Sequence, residues 1–376
     1  MNLKNPFVIS GYESPYYFCD REDENNTLKH NLMNGRNVAL ISTRKMGKTG
    51  LIRHCFQDPE IKDRYYTFFF DIYSTSSLRE FVFTLGKEIF EELKPKEKKF
   101  MDQFFAVITS LRAGFRLNNL TGEPSFEIGL GDIVEASTTL DEIFRYLEQA
   151  DKPCILAIDE FQQIADYSEN NVEAVLRTII QQCKNTNFIF AGSQQHIMTN
   201  IFLSPSRPFY QSVSMMHLNE IPLNKYIDFV SRLFVANDRL VEKELIEKVY
   251  ESFEGHTWYL QIMFNELFSL TSSGENCSLS MYDDALTNLI SAQEFTSQEI
   301  LSRLPEKQKE ILIAIAKEGK AKSVTSGDFV KKYRLHTPSS VQSALKYLLD
   351  KDLVTQSNNI YQVYDRFFGI WLNREY

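Results

Sequence analysis

The sequence predicts an α/β domain with a mainly parallel sheet, followed by a helical domain and a C-terminal winged-helix domain. Three observations carry this reading. Short runs that are apolar at nearly every position recur between amphipathic stretches, at residues 38–41, 66–72, 154–158, 188–192 and 213–218. A strand covered on both faces needs such a run, and strands alternating with helices imply a parallel sheet. After Asn219 the strands stop, and residues 223–300 alternate apolar and charged side chains at helical spacing. From Pro305 onward the pattern gives helices at 306–318, 327–333 and 339–350, then a hairpin around Ser357-Asn358-Asn359, which is the winged form of helix-turn-helix.

Taken in order, residues 23–33 form a helix that ends at the Asn34-Gly35 turn. The strand 38–41 leads through a glycine-containing loop into a helix at 49–56. The strand 66–72 precedes an amphipathic helix at 78–93. Residues 95–136 read as an insertion: a charge run over 94–99, a helix at 100–111, and a hairpin in which residues 115–117 and 125–128 flank 118–122. Helices at 138–150 and 172–183 alternate with the third and fourth strands. The expected domains are therefore 1–218, 219–304 and 305–376. No internal repeat and no low-complexity tract interrupts them.

Composition narrows the function classes. The chain has 376 residues, 43% of them hydrophobic and 24% charged, which is ordinary for a folded protein of two or three domains. No apolar run approaches the ~18 residues that span a bilayer, and the N-terminus lacks the outline of a signal peptide. Five cysteines lie far apart with no C-x-x-C pair, which argues for a reducing, cytoplasmic setting and against disulfides or a zinc site. Net charge is −9, unsuited to coating nucleic acid indiscriminately. From Pro305 onward, however, 12 Lys and Arg face 8 Asp and Glu, an excess of +4, so residues 1–304 carry −13. Any nucleic-acid contact is expected in the tail.

The strongest chemical signal is Ser42-Thr43-Arg44-Lys45-Met46-Gly47-Lys48-Thr49, followed by Gly50. It matches G-x-x-x-x-G-K-[ST] at every fixed position but the first, where Ser42 stands for glycine. A polyphosphate is held by successive backbone N–H groups at a helix N-terminus, and Gly47 permits close approach. Lys48 reaches the terminal phosphates, and the Thr49 hydroxyl is a magnesium ligand. If the first position needs a left-handed backbone, Ser42 strains it where glycine would not. The second signal is the apolar strand ending in Asp159-Glu160. Beside a P-loop on a neighbouring strand, Asp159 holds hydrated Mg2+ and Glu160 orients or deprotonates water. ATP and Mg2+ are the expected cofactors.

Weaker candidates carry two readings each. Ser193 or Gln194, at the polar end of the fourth strand, is a γ-phosphate sensor or a plain helix cap. Arg207 supplies charge to its own or a neighbour's site, or is an exposed structural arginine. His256 is a further sensor candidate, or simply packs beside Trp258 and Tyr259.

Together these residues resemble the archaeal-type ATPase family, within the STAND branch of AAA+-related P-loop ATPases, and the chain looks like one of its bacterial members. The resemblance rests on Asn5-Pro6-Phe7, on Phe18, Arg21 and Glu22, on the loop arginine Arg44 and on Asp159-Glu160-Phe161-Gln162. It extends through Gly192-Ser193 and Gly255-His256-Thr257 to the Asp-x-x-Phe-x-x-Trp-Leu pattern at Asp365, Phe368, Trp371 and Leu372. It covers nearly the whole chain, with Ser42 and Thr257 departing from the family's glycine and lid proline. It implies an ATP-hydrolysing, nucleotide-dependent switch with no settled client. The alternative is an ATP-regulated module that binds DNA, or docks a protein, through residues 305–376 and hydrolyses little. Ser339, Ser340, Gln342, Ser343 and Lys346 lie on the polar positions of its expected recognition helix. The reading leaves oligomerisation open and needs no membrane.

Overall fold

The computed structural model describes residues 4–93, 115–117, 124–126, 133–357 and 359–376. The expected charge run 94–99, the helix 100–111 and the loop 118–122 lie outside them. Strands β1 (Val38–Ile41), β2 (Tyr66–Asp71), β5 (Cys154–Asp159), β6 (Thr186–Gly192) and β7 (Ser214–His217) form one parallel sheet in the order β2-β5-β6-β1-β7. Between β2 and β5 in sequence, β3 (Phe115–Leu117) and β4 (Pro124–Phe126) pair antiparallel, with Phe115 opposite Phe126.

Apolar runs without polar breaks form β1, β5 up to Asp159 and β6 from Phe188, because both faces of the sheet are covered there; the edge strands carry polar residues, Thr67 in β2 and Ser214 and His217 in β7. Ala39, Ile41, Leu156, Ile158, Phe188 and Phe190 enter one core, with the helices Leu78–Leu93, Ala136–Glu148, Val172–Gln182 and Gln195–Leu203. The residues between them, Val38, Leu40, Ile155, Ala157, Ile189 and Ala191, enter the other, with Glu22–Met33 and Lys48–Gln57. This is the period of two that a pleated strand imposes. Each fully buried aliphatic side chain contributes about 1.5–3 kcal/mol, so two-sided burial rather than strand propensity holds the sheet.

The strand order corrects one expectation. The acidic strand β5 is not the neighbour of β1; β6 lies between them. Crossover helices set the order of parallel strands, and local sequence patterns do not record it. The register still brings the carboxyl ends together, with Ile41 beside Gly192 and Asp71 beside Asp159.

The chain divides into two compact units. One comprises Val8–Phe229 with Gly255–Trp258; the other comprises Val230–Glu254 and Tyr259–Tyr376 with the N-terminal segment that ends at Phe7. In the second unit Phe7 is fully buried against Phe234, Phe264 and Phe268, with ring centroids 5.6–6.0 Å apart. Asn5 Nδ2 donates to the Asn265 carbonyl and Asn265 Nδ2 to the Phe7 carbonyl, both at 2.8 Å, which fastens the segment. Strands do not wholly stop after Asn219: β8 (Leu240–Val241) and β9 (Asn276–Cys277) pair in parallel over two residues each.

The winged helix has helices Glu306–Glu318, Gly327–Lys332 and Pro338–Asp350, and a hairpin of β11 (Val354–Ser357) and β12 (Ile360–Val363). A short strand, β10 (Ala321–Lys322), joins β12 and makes the wing three-stranded. The last helix, Arg366–Glu375, starts where Asp365 Oδ1 accepts the Phe367 and Phe368 N–H groups at 3.0 and 3.1 Å. It buries Phe367, Phe368, Trp371 and Leu372, so the C-terminal Asp-x-x-Phe-x-x-Trp-Leu pattern is a cap followed by a core face. No helix among the described residues is long and apolar enough to cross a membrane.

Candidate functional site

The glycine-containing loop leaves β1 at Ile41 and enters the helix Lys48–Gln57. Its left-handed residues are Lys45 (φ 67°) and Gly47 (φ 89°), and Ser42 is not among them. The strain expected at Ser42 therefore does not arise. The buried Ser42 hydroxyl instead donates to the Thr43 carbonyl at 2.9 Å and accepts from Lys48 Nζ at 3.3 Å. Lys48 Nζ also meets the carbonyls of Ser42 and Thr43 at 3.4 and 3.5 Å. These are long bonds from a buried ammonium to neutral oxygens. Burial pushes its pKa down, while the nearby Asp159 and Glu160 carboxylates pull it up. A buried cation so weakly satisfied fits an anionic ligand, as do the N–H groups of the first helical turn, which have no partner inside their helix. Gly50 sits where a Cβ would lie 3.1 Å from the Phe18 ring, so the helix start packs closely on the N-terminal segment.

The second half of the site comes from β5 and β6. Asp159, 5% exposed, ends β5 and accepts a hydrogen bond from Thr49 Oγ1 at 2.6 Å. Burial pushes the Asp159 carboxyl up, opposed by the Thr49 bond and by Lys48. Glu160 follows in a left-handed conformation, φ 55°, which turns the chain sharply off the strand. Its Oε2 accepts from Ser193 Oγ at 2.6 Å and from Gln162 Nε2. Thr49 and Asp159 thus offer two adjacent oxygens of the kind Mg2+ takes, which usually leaves its remaining positions to water and phosphate. No group of three or more His, Cys, Asp or Glu side chains among the described residues could hold a metal by itself.

The structure brings Ser42, Lys48, Thr49, Asp159, Glu160 and Ser193 together, and Gln194 and Arg207 are engaged elsewhere. Gln194 begins the helix Gln195–Leu203, where its carbonyl accepts the Ile197 and Met198 N–H groups. Arg207 is ion-paired with Glu173 on the helix Val172–Gln182. His256 lies in the segment Gly255–Trp258, which packs on the loop: Thr257 Oγ1 donates to the Met46 carbonyl at 3.1 Å and Trp258 N–H to the Lys45 carbonyl at 3.0 Å. Lys45 Nζ lies 4.2 Å from the Trp258 ring centroid, and Arg44 is 5.1 Å from that of Tyr73. Two residues in the site were given no role from sequence. Arg21, buried and left-handed, is paired with Glu24 at 2.7 Å and donates to the Met46 carbonyl at 3.3 Å. Gln162 bridges Glu160 and Ser193. Both stand in the motifs that carry the family resemblance, but the contacts that tie them to the rest of the site, Arg21 to Met46 and Gln162 to Ser193, span 25 and 31 residues.

A five-stranded parallel sheet with this loop and this acidic strand end, followed by a winged helix, defines an ATP-binding P-loop ATPase. The chain belongs to the family of ATPase domains predominantly from Archaea, whose model matches residues 18–263, and residues 295–374 match a probable winged helix domain. Among solved structures, a Walker-type ATPase of Pyrococcus abyssi aligns with a TM-score of 0.66 and 18% identity, over 98% of this chain and 99% of that one. The Aeropyrum pernix ORC2 protein, in its ADPNP and ADP complexes, gives 0.60 and 13% over 99% and 96%. The Aeropyrum pernix ORC1 protein in complex with DNA gives 0.54 and 13% over the same shares. At these identities the likeness is one of fold. No curated protein matches the chain.

Proposed function

We propose that this protein binds Mg-ATP at residues 42–50, hydrolyses it to ADP and phosphate, and acts as a nucleotide-dependent switch. The observation that carries the reading is the convergence of Lys48, Thr49, Asp159 and Glu160 at the carboxyl edge of one sheet. Loop N–H groups and Lys48 hold the phosphates. Thr49 and Asp159 would hold Mg2+, which would supply charge neutralisation at the phosphates. Glu160 takes a proton from the attacking water. Ser193, bonded to Glu160, is the γ-phosphate sensor. The pairing of Arg207 with Glu173 supports its structural reading.

The switch reading has support in the chain itself. The segment Gly255–Trp258, bonded to the loop, follows directly on Glu254, which pairs with Lys320 and, at 2.8 Å, with Arg366. Residues 1–218, 219–304 and 305–376 serve in this reading as motor, lid and output. The Gly-His-Thr turn and the C-terminal pattern favour a STAND-type arrangement. A second reading, DNA or protein binding through the winged helix, is favoured by the +4 tail.

Glu160→Gln tests the catalytic assignment. It should keep wild-type ATP affinity while hydrolysis falls by roughly 10²–10⁴-fold, the usual loss on removing a general base. Wild-type turnover in this variant would remove Glu160 from the chemistry.

A further inference from the structure

The family resemblance assigns no role to Gln162, yet its side chain is among the most constrained in the site. It is 3% exposed, two residues beyond the acidic strand end. Its Oε1 accepts the Ser193 backbone N–H at 3.3 Å, at the end of β6. Its Nε2 donates to Glu160 Oε2 and lies 3.4 Å from Ser193 Oγ. One end meets a donor and the other a carboxylate, so the amide has one sensible orientation. Room for it is built into the neighbouring strand. A Cβ on Gly192 would lie 2.6 Å from Gln162 Oε1 and 2.5 Å from Met198 Sδ. Glycine at 192 therefore answers a close approach of side chains and not a left-handed backbone, since Gly192 is absent from the positive-φ glycines. Upstream, Phe161 is fully buried among Phe190, Phe202 and Phe209, which fixes the backbone from which Gln162 projects.

We propose that Gln162 is a positioning residue for hydrolysis: its amide ties the Glu160 carboxylate to the end of β6 and holds it in place for attack on the γ-phosphate. Ser193 also holds Glu160, but a hydroxyl has one proton to give. A phosphate oxygen that takes the Ser193 proton leaves Glu160 with Gln162 alone. The amide can stay bonded through that exchange, because Oε1 is anchored on backbone and Nε2 has a second hydrogen. Holding the base through one oxygen leaves the other to accept the proton from water. Misplacement of a catalytic group by about 1 Å can cost roughly 100-fold in rate, which sets the scale of the effect.

The inference rests on Glu160 being the general base, so the experiment separates the two claims. Full-length wild type, Glu160→Gln, Gln162→Met and Gln162→Glu are compared by single-turnover ATP hydrolysis with enzyme in excess, alongside ATP affinity and thermal unfolding. Gln162→Met keeps the volume and removes both amide bonds. Gln162→Glu keeps the shape and sets a second carboxylate against Glu160. Both should bind ATP within about twofold of wild type and lose roughly 10–100-fold in rate. A lower single-turnover rate beside unchanged ATP affinity and an unchanged unfolding midpoint separates positioning from a merely structural role, which would move all three. If Glu160→Gln is inactive while both Gln162 variants hydrolyse at the wild-type rate, the positioning role is overturned and the base assignment stands. If Glu160→Gln is fully active, both fall. A parallel loss of ATP binding in Gln162→Met would mark a structural residue and also overturn the proposal.

Discussion

Thr49 and Asp159 come from segments 110 residues apart and meet at 2.6 Å. This bond sets a hydroxyl and a carboxylate oxygen side by side, both of the oxygen type that Mg2+ takes. Asp159→Asn removes the formal charge and keeps the shape. It should raise the Mg2+ concentration for half-maximal hydrolysis by about tenfold, the lower end of what supporting changes at metal sites cost. An Mg2+ titration of the rate checks this, and an unchanged midpoint would take Asp159 out of the ion's coordination. These residues were legible in the sequence because polyphosphate chemistry demands a lysine, a hydroxyl and carboxylates at fixed places on a strand-loop-helix frame. Gln162 and Arg21 stood in recognisable motifs, but their contacts in the site were not legible: Arg21 reaches Met46 and Gln162 reaches Ser193, 25 to 31 residues away, and only the folded sheet brings them together.

At the level of elements, mostly apolar runs revealed all five strands of the large sheet, since the inner strands are covered on both faces and the edge strands β2 and β7 tolerate only a few polar residues. Their order was hidden: β6 separates β1 from β5, and that choice belongs to the crossovers. The two-residue strands β8, β9 and β10 were hidden for another reason, being too short to show a period. The packing of β6 against the residues after β5 makes its own forecast. Gly192→Ala would put a methyl group 2.5–2.6 Å from Met198 and Gln162. Overpacking of this kind costs about 1–3 kcal/mol. Chemical denaturation should report a loss in that range, and stability equal to wild type would mean that the two side chains yield freely.

For the molecule as a whole, the unequal charge of body and tail bears on partners. Lys331 and Lys346 are exposed on the winged helix, whereas Lys332 is engaged by Glu318 at 2.5 Å and is a poor phosphate contact. We expect weak duplex DNA binding by the full chain, mostly through phosphates, with a log–log salt slope of about −0.9 per contact. Fluorescence anisotropy across a salt series, with and without ATP, measures it. Undetectable binding at low salt in both states would leave the winged helix to a protein partner. The central claim is narrower: the loop at residues 42–50 is where this protein meets ATP. Calorimetric titration of ATP with Mg2+ into wild type and Lys48→Ala tests it most directly. Wild type should bind with one site per chain and Lys48→Ala should give no binding heat, because the phosphates lose their buried cation. Equal affinity in the two proteins would contradict the account.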